Sequence, residues 1–203
     1  VWIPDAPTQA RRRQVTRRKQ LVKSRARLKA IAQSILHAHL APRCPHADLF
    51  GGKGRAWLRA QVLPEDERVA IERHLEEYDR QTAAQKAVER DIASIALDDA
   101  NVRRLMTIPG IDMVVAVGMM AAIGRIDRFA APEKLVAYLG LNPSVRQSGD
   151  GRAHHGRITK RGSGKARHLL IEAAWQTVRS PGPMRPFYER VRARRGAHVA
   201  AVA

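Results

Sequence analysis

The chain has 203 residues, a formal net charge of +18 and an isoelectric point near 11.4. Such an excess of cations indicates a polyanionic partner, and nucleic acid is the first candidate. We find no apolar run of the roughly 18 residues that span a bilayer and no signal-peptide pattern, so a membrane partner is disfavoured and a soluble, cytoplasmic protein is expected. The single cysteine, Cys44, excludes an internal disulfide, and the aromatic content of 4% disfavours binding mainly by base stacking.

The first basic block covers residues 1–60, with a net charge of +12, ahead of an acidic block at 61–105 (−4) and a second basic block at 106–203 (+10). Residues 1–4 are predicted as a strand with no obvious sheet to join. A long basic helix follows, because apolar residues recur at helical spacing: Val15, Leu21, Leu28, Ile31 and Ile35. The Arg-rich run 11–29 favours contact with an RNA or DNA backbone over a merely solvated face.

A second helix is predicted to begin at Pro64, with three acidic residues in its first turn, where they suit the helix dipole. Spacings of four and three then follow a heptad-like seam: Ile71, Leu75, Tyr78, Thr82, Gln85, Glu89 and Ile92. Packing inside its own domain and pairing with another chain are equally compatible with so short a pattern. A homo-oligomer formed through this coiled-coil-like arm is therefore one prediction.

The segment LMTIPGIDMVVAVGMMAAIG, residues 105–124, resembles a helix-hairpin-helix. A glycine turn at a helix N-terminus exposes backbone N–H groups that can hold a phosphate without reading bases, which makes Gly110 and Ile111 candidate DNA contacts. The alternative is a plain helical hairpin in which Pro109 and Gly110 only make the turn. A short helix is predicted next, from Pro132 to Gly140.

A strongly basic loop follows, with many glycines that allow close backbone approach and one opposing acid, Asp150. Its candidate phosphate contacts are Arg146, Arg152, Arg157, Lys160 and Arg161, with Gly149 beside them. Such a loop suits a phosphodiester better than a small acid, and a helix at about 165–178 is predicted to anchor it.

A serine in this loop could act as a nucleophile, since neighbouring cations stabilise charge on an attacked phosphorus. From spacing alone, a Ser-Gly pair is more often a turn or a phosphate contact. The residue types do not choose Ser148 over Ser144 or Ser163. A general base could come from His154 or His155, although phosphate contact is the more common role for such histidines.

Four potential metal ligands lie close together in sequence: His37, His39, Cys44 and His46. Their spacing matches no zinc pattern, and His37 and His39 would point to different faces of a helix. We therefore predict no metal site in this chain.

Ordered blocks run from about residue 105 to residue 175: IPGID, GMMAAIGRIDRF, KLVAYLGLNPSVRQSGDGRAHHGRITKRG and SGKARHLLIEAAW. In this order they resemble the C-terminal domain of the bacterial insertion-sequence transposases of the one-hundred-and-ten type, which combine a DEDD carboxylate domain with a serine nucleophile. Weaker similarity in VWIPD, in the basic helix and in LFGGKGRAWL extends the resemblance over most of the chain.

The resemblance implies a DNA recombinase that is guided by a structured bridge RNA and found at the nucleoid. The family's Ser-Gly pair falls on Ser148 and Gly149, which makes Ser148 the expected catalytic residue. In the family an N-terminal RuvC-like domain supplies the carboxylates that bind Mg²⁺, shortly before a segment like VWIPD. We expect that this chain lacks that domain and is not active alone.

The sequence thus predicts a mainly α protein with four parts. They are a remnant of the RuvC-like domain with the basic helix (1–60), a helical arm (61–99), a compact domain with the helix-hairpin-helix and the serine loop (100–180), and a basic tail (181–203). The leading interpretation is a transposase, and the alternative is a non-catalytic protein that binds DNA or RNA through the helix-hairpin-helix and the basic loop.

Overall fold

A computed structural model describes residues 2–203, with His155 described by its backbone alone. Its regular elements are, in chain order, α1 (Ala6–Ala38), α2 (Gly52–Arg59), α3 (Glu65–Asp98), α4 (Ala100–Met106), α5 (Met113–Ile123), a 3-10 helix (Ile126–Arg128), α6 (Pro132–Leu139), β1 (Pro143–Arg146), β2 (His154–Ile158), α7 (Gly164–Thr177), α8 (Met184–Arg195) and α9 (Ala197–Val202). With 68% helix and 4% strand, the predicted mainly α class is confirmed.

Contacts divide the chain into two compact units. The arm unit comprises residues 16–90, and the main unit comprises the residues up to 15 together with 91–203. The long helices α1 and α3 each contribute residues to both units. The domain boundaries predicted from sequence stay predictions.

The arm unit is held by an apolar core between α1, α2 and α3. Leu75 of α3 is 2% exposed and belongs to the same buried cluster as Leu36 of α1 and Leu58 of α2. The heptad-like seam of α3 therefore packs inside its own chain, because Ile71 and Tyr78 also lie in this cluster. A homo-oligomer stays a prediction, but this part of the seam is not free to form it.

Polar side chains also join α1 to α3 within the arm unit. Arg18 of α1 forms an ion pair with Glu89 of α3 at 2.7 Å. Arg25 donates to the Tyr78 hydroxyl at 2.5 Å, and its guanidinium lies 4.6 Å from the centre of that ring. Arg18 and Arg25 of the basic helix thus have a structural role, since their guanidinium groups contact α3 side chains of the same unit.

The main unit is built around α5, which is apolar on all sides, as expected for a helix buried by its neighbours. Residues of α5, α6 and α7 share one buried cluster: Val115, Met119, Ile123, Leu139, Ala166 and Ala173. Asp112 begins α5 by accepting the Val115 N–H at 2.8 Å. The predicted apolar helix after the Pro-Gly turn is confirmed.

The strand predicted at the start of the chain is wrong for residues 2–4, which have no regular structure, while Val1 lies outside the described residues. The apolar character of this segment has another cause. The indole of Trp2 packs so closely on Gly124 that a side chain there would overlap the ring. It also stacks on Arg128, whose guanidinium lies 4.1 Å from the ring centre.

The basic loop predicted after α6 contains a two-stranded antiparallel sheet, in which β1 pairs with β2. Val145 lies opposite His155, and Arg146 lies opposite His154. This β-hairpin leaves residues 147–153 as its tip. None of the helices in the described part of the chain is both long and apolar enough to cross a membrane.

The arm core gives a stability prediction. Truncation of Leu75 to alanine should lower the free energy of unfolding by about 2–5 kcal/mol, because it removes buried methyl groups and leaves a cavity. Val69→Ala on the same helix is the control, because Val69 is 38% exposed and should cost no more than about 0.5 kcal/mol. Urea unfolding followed by circular dichroism measures both, and equal losses would contradict the assigned core.

Candidate functional site

The β-hairpin of the main unit is fixed at its base by a close approach of two backbone segments. Gly140 ends α6 in a left-handed conformation (φ +70°), and a Cβ at this position would lie 2.8 Å from the backbone nitrogen of Arg161. A Cβ at Gly162 would overlap the carbonyl oxygen of Tyr138. Both positions therefore require glycine, since the neighbouring atoms are backbone and cannot turn aside.

Hydrogen bonds complete the contact between α6 and the segment after β2. The Lys160 N–H donates to the Gly140 carbonyl at 3.0 Å, and the Thr159 N–H donates to the Asn142 carbonyl at 2.9 Å. The Thr159 hydroxyl also donates to Asn142 Oδ1 at 2.9 Å. Arg167 of α7 donates to the Leu139 carbonyl at 2.9 Å. We call this set of contacts, between residues 138–142 and residues 159–167, the hairpin lock.

The tip of the hairpin presents the Ser-Gly pair to solvent. Ser148 is exposed, and its carbonyl accepts the Gly151 N–H at 3.2 Å, which closes a turn. Gly149 has φ +53°, a conformation that favours glycine, and nothing lies within 4 Å of where its Cβ would be. Glycine at position 149 thus allows the backbone conformation of the turn, whereas glycine at positions 140 and 162 allows two backbone segments to pack closely.

The other two serines of the region have structural surroundings. Ser144 is half-buried in β1, and its hydroxyl would lie 2.5 Å from a Cβ at Gly156 on the paired strand. The Ser163 hydroxyl accepts the Ala166 N–H at 3.3 Å and begins α7. Within the described residues, the Ser148 side chain has no hydrogen-bond partner.

The five predicted phosphate contacts are all exposed, and none of them forms an ion pair with a carboxylate among the described residues: Arg146, Arg152, Arg157, Lys160 and Arg161. They are spread along the hairpin. Arg146 immediately precedes the tip and Arg152 lies within it, whereas Arg157 lies about 10 Å of strand length nearer the base than His154. Lys160 and Arg161 lie at the hairpin lock. Of the five, Arg146 and Arg152 are therefore the ones near Ser148.

The two histidines proposed as a general base lie on β2. His154 is exposed and pairs across the strands with Arg146. The side chain of His155 lies outside the described residues. A histidine opposite an arginine at the hairpin tip adds a hydrogen-bonding group within the same basic surface.

The turn between α4 and α5 lies elsewhere in the main unit. A Cβ at Gly110, where φ is +87°, would lie 2.6 Å from the backbone nitrogen of Thr177, and the Thr177 hydroxyl donates to the Pro109 carbonyl. The Ile111 N–H donates to the Ile108 carbonyl at 3.1 Å. These contacts give the turn a packing role against the end of α7, and phosphate binding by Gly110 and Ile111 stays a prediction.

The turn and the hairpin are therefore separate features. The hairpin lock reaches α7 at Arg167, and the turn reaches it at Thr177, about 15 Å further along the helix axis. The candidate site is the hairpin alone.

Metal-ligating side chains do not gather in the described part of the chain: no group of three or more His, Cys, Asp or Glu could hold a metal ion there. This includes the sequence cluster at His37, His39, Cys44 and His46. His37 and His39 are exposed, and Cys44 is a half-buried free thiol.

Residue types alone missed the residues that position the hairpin. Asn142, Thr159 and Arg167 lie in the blocks GLNP, ITKRG and SGKAR. In the sequence these blocks indicated phosphate contacts or the family resemblance, and not a packing role. The available signal for a close backbone approach was a pair of glycines: Gly140, just after an apolar helix, and Gly162, after the second strand.

Comparison with known proteins gives the class of this region. Residues 102–189 match the profile described as the transposase IS116/IS110/IS902 family. The match includes most of α4, all of α5 to α7 with the whole β-hairpin, and the first half of α8. The match shows that this region is similar to that family, and it supports the predicted resemblance to the C-terminal domain of IS110-type transposases.

Three relatives carry transposase names. The provisionally named transposase y4qE of Sinorhizobium fredii is 33% identical over 186 residues, which are 89% of this chain and 43% of the relative. A provisionally named family 20 transposase of Pseudomonas aeruginosa is 35% identical over 45% of this chain and 27% of its own length. The transposase for insertion sequence element IS1111A of Coxiella burnetii is 32% identical over 45% of this chain and 25% of its own length. The chain thus spans less than half the length of each of these relatives.

The hairpin lock gives a prediction about Gly162. Its change to alanine should lower the free energy of unfolding by about 1–3 kcal/mol or more, because the added methyl group meets backbone atoms that cannot relax. Gly182→Ala is the matched control, since nothing lies within 4 Å of its Cβ position, and it should stay within about 0.5 kcal/mol of wild type. Chemical unfolding measures both, and amide hydrogen exchange should show faster exchange in 143–158 for the first variant only. Unchanged exchange there would contradict the lock.

Proposed function

We propose that the chain carries the DNA strand-transfer hairpin of an insertion-sequence transposase and that Ser148 is its nucleophile. One observation supports this choice above the others: among the three serines of the region, Ser144 packs in the sheet and Ser163 caps α7, while Ser148 is exposed at a basic tip. The match of residues 102–189 to a transposase family supports the class of reaction.

The chemistry is a transesterification at a DNA phosphodiester. The Ser148 oxygen forms a bond to phosphorus, and the bond from phosphorus to one sugar oxygen breaks. The serine proton passes to a base, for which His154 is a candidate, and the departing sugar oxygen takes up a proton. The phosphoserine ester keeps the energy of the cleaved linkage, so reversal by a second sugar hydroxyl rejoins strands without ATP.

The exposed arginines of the hairpin would hold the substrate. Arg146, next to the tip, and Arg152, within it, would stabilise charge on the attacked phosphate. Arg157, Lys160 and Arg161 would bind neighbouring phosphates along the DNA backbone, which is a sequence-independent contact. A phosphate contact at Gly110 and Ile111 stays a separate prediction, in a turn that packs on α7 and whose Ile111 N–H donates to Ile108.

The resemblance also implies Mg²⁺ bound by DEDD carboxylates. The described residues do not fit that group, since no three potential ligands come together among them. No step is assigned to the metal, and this chain's part is to position the serine and the DNA. A bridge RNA that selects the target belongs to the same proposal, and the net charge of +18 favours polyanionic partners such as RNA and DNA.

The test is a covalent adduct. A protein in which this chain follows a carboxylate-bearing N-terminal domain is incubated with end-labelled duplex DNA and Mg²⁺, and protein–DNA species that survive denaturing electrophoresis are counted. We expect wild type to form an adduct with its DNA phosphate on Ser148 and Ser148→Ala to fall to background. Ser144→Ala removes a hydroxyl from the same hairpin and should retain the adduct.

An undiminished adduct in Ser148→Ala would contradict the assignment. The second candidate function, non-catalytic nucleic-acid binding, is supported by the exposed cations of the hairpin, because these can hold a phosphate backbone without any reaction. It predicts no adduct from wild type, together with binding that weakens roughly 10³-fold or more between about 50 and 200 mM salt if six or more phosphates are contacted.

A further inference from the structure

The exposed side of α1 in the arm unit carries a row of cations. Lys19, Lys23 and Arg27 follow one another at intervals of four residues, so they form one ridge on the helix surface. All three are exposed, and none has an ion-pair or hydrogen-bond partner among the residues described. We call them the α1 ridge.

The same helix shows that unpaired cations are not the rule in this unit. Arg18 pairs with Glu89, Arg25 bonds Tyr78, and Lys29 pairs with Asp48 at 2.8 Å. The hydrogen bond from Lys29 lowers the pKa of the Asp48 carboxyl. The basic run thus divides into side chains that hold the fold and side chains that only solvent satisfies.

Three like charges at this spacing repel one another and weaken an isolated helix. An anionic partner that lies along the helix would reverse the effect. Lys19 and Arg27 are eight residues apart, or about 12 Å along the helix axis, a length over which one strand of a duplex presents roughly three or four phosphates.

We propose that the α1 ridge binds the sugar-phosphate backbone of a nucleic-acid duplex, as a contact separate from the β-hairpin. The inference rests on the proposed nucleic-acid function of the chain. The proposed ligand is the phosphodiester backbone, which duplex DNA and duplex RNA share, and the experiment distinguishes these two sources.

The test compares two variants of equal net charge. The ridge variant is Lys19→Gln, Lys23→Gln and Arg27→Gln, in which glutamine keeps a helix propensity close to that of lysine. The control variant is Arg59→Gln, Arg68→Gln and Arg80→Gln, which removes three exposed arginines of the same unit, each paired with a glutamate. Fluorescence anisotropy measures the affinity of the whole chain for a short DNA duplex, and for an RNA duplex of the same sequence, between about 50 and 200 mM salt.

Release of three phosphate contacts should reduce the salt slope of the ridge variant by about 2.7 on B-form DNA, so that wild type loses about 40-fold more affinity over this range than the ridge variant does. The control variant should keep the wild-type slope. A reduction on only one of the two duplexes identifies the source and supports the proposal.

Equal salt slopes for wild type and the ridge variant, or equal reductions of the slope in both variants, would contradict nucleic-acid binding by the α1 ridge. Neither result would change the outcome of the adduct assay on Ser148, so each proposal can be contradicted without the other. Failure of wild type to bind either duplex at low salt would overturn the ridge and the nucleic-acid function together. Circular dichroism of each variant checks that α1 keeps its helicity.

Discussion

The position of the β-hairpin depends on one close approach of backbone to backbone, between the end of α6 and residues 160–162. Gly140 and Gly162 allow this approach, and the hydrogen bonds of Thr159 and Lys160 to the opposite segment fix its register. Because the strands start from this contact, the tip with Ser148 is held by the main unit although it makes few contacts itself. The chemistry proposed for the tip therefore depends on atoms at the other end of the hairpin.

Helix α7 connects the hairpin lock to the rest of the main unit. Its first turn is capped by Ser163 and carries Arg167, which bonds the end of α6. Its last turn packs on the glycine turn before α5 through Thr177. Two features that each suggested a phosphate site are thus at opposite ends of one rigid element, and only the hairpin presents unpaired cations beside a free hydroxyl.

Periodic patterns allowed the helices α1, α3, α5, α6 and α7 to be predicted, since apolar spacing, Pro64 and Gly140 reflect local rules of helix formation. Helices α2, α8 and α9 were not predicted, and the segment 181–203, expected only as a basic tail, contains the last two of them. The β-hairpin was not predicted, because its short strands carry arginine, histidine and glycine rather than apolar alternation. The partner of the α3 seam was also open in the sequence, since intrachain and interchain packing require the same residues. Residue types left the choice among three serines open and the family resemblance favoured Ser148, while the fold adds what Ser144 and Ser163 contact.

The hairpin lock has a consequence for how such a protein could evolve. The atoms that place the hairpin are mostly backbone atoms and two missing side chains, whereas its charge comes from long side chains at adjacent positions. Lys160 and Arg161 contribute backbone to the contact while their side chains point into solvent. Selection can therefore retune the affinity for a polyanion by exchanging these side chains without moving the serine, and placement and affinity can change independently within one short block of sequence.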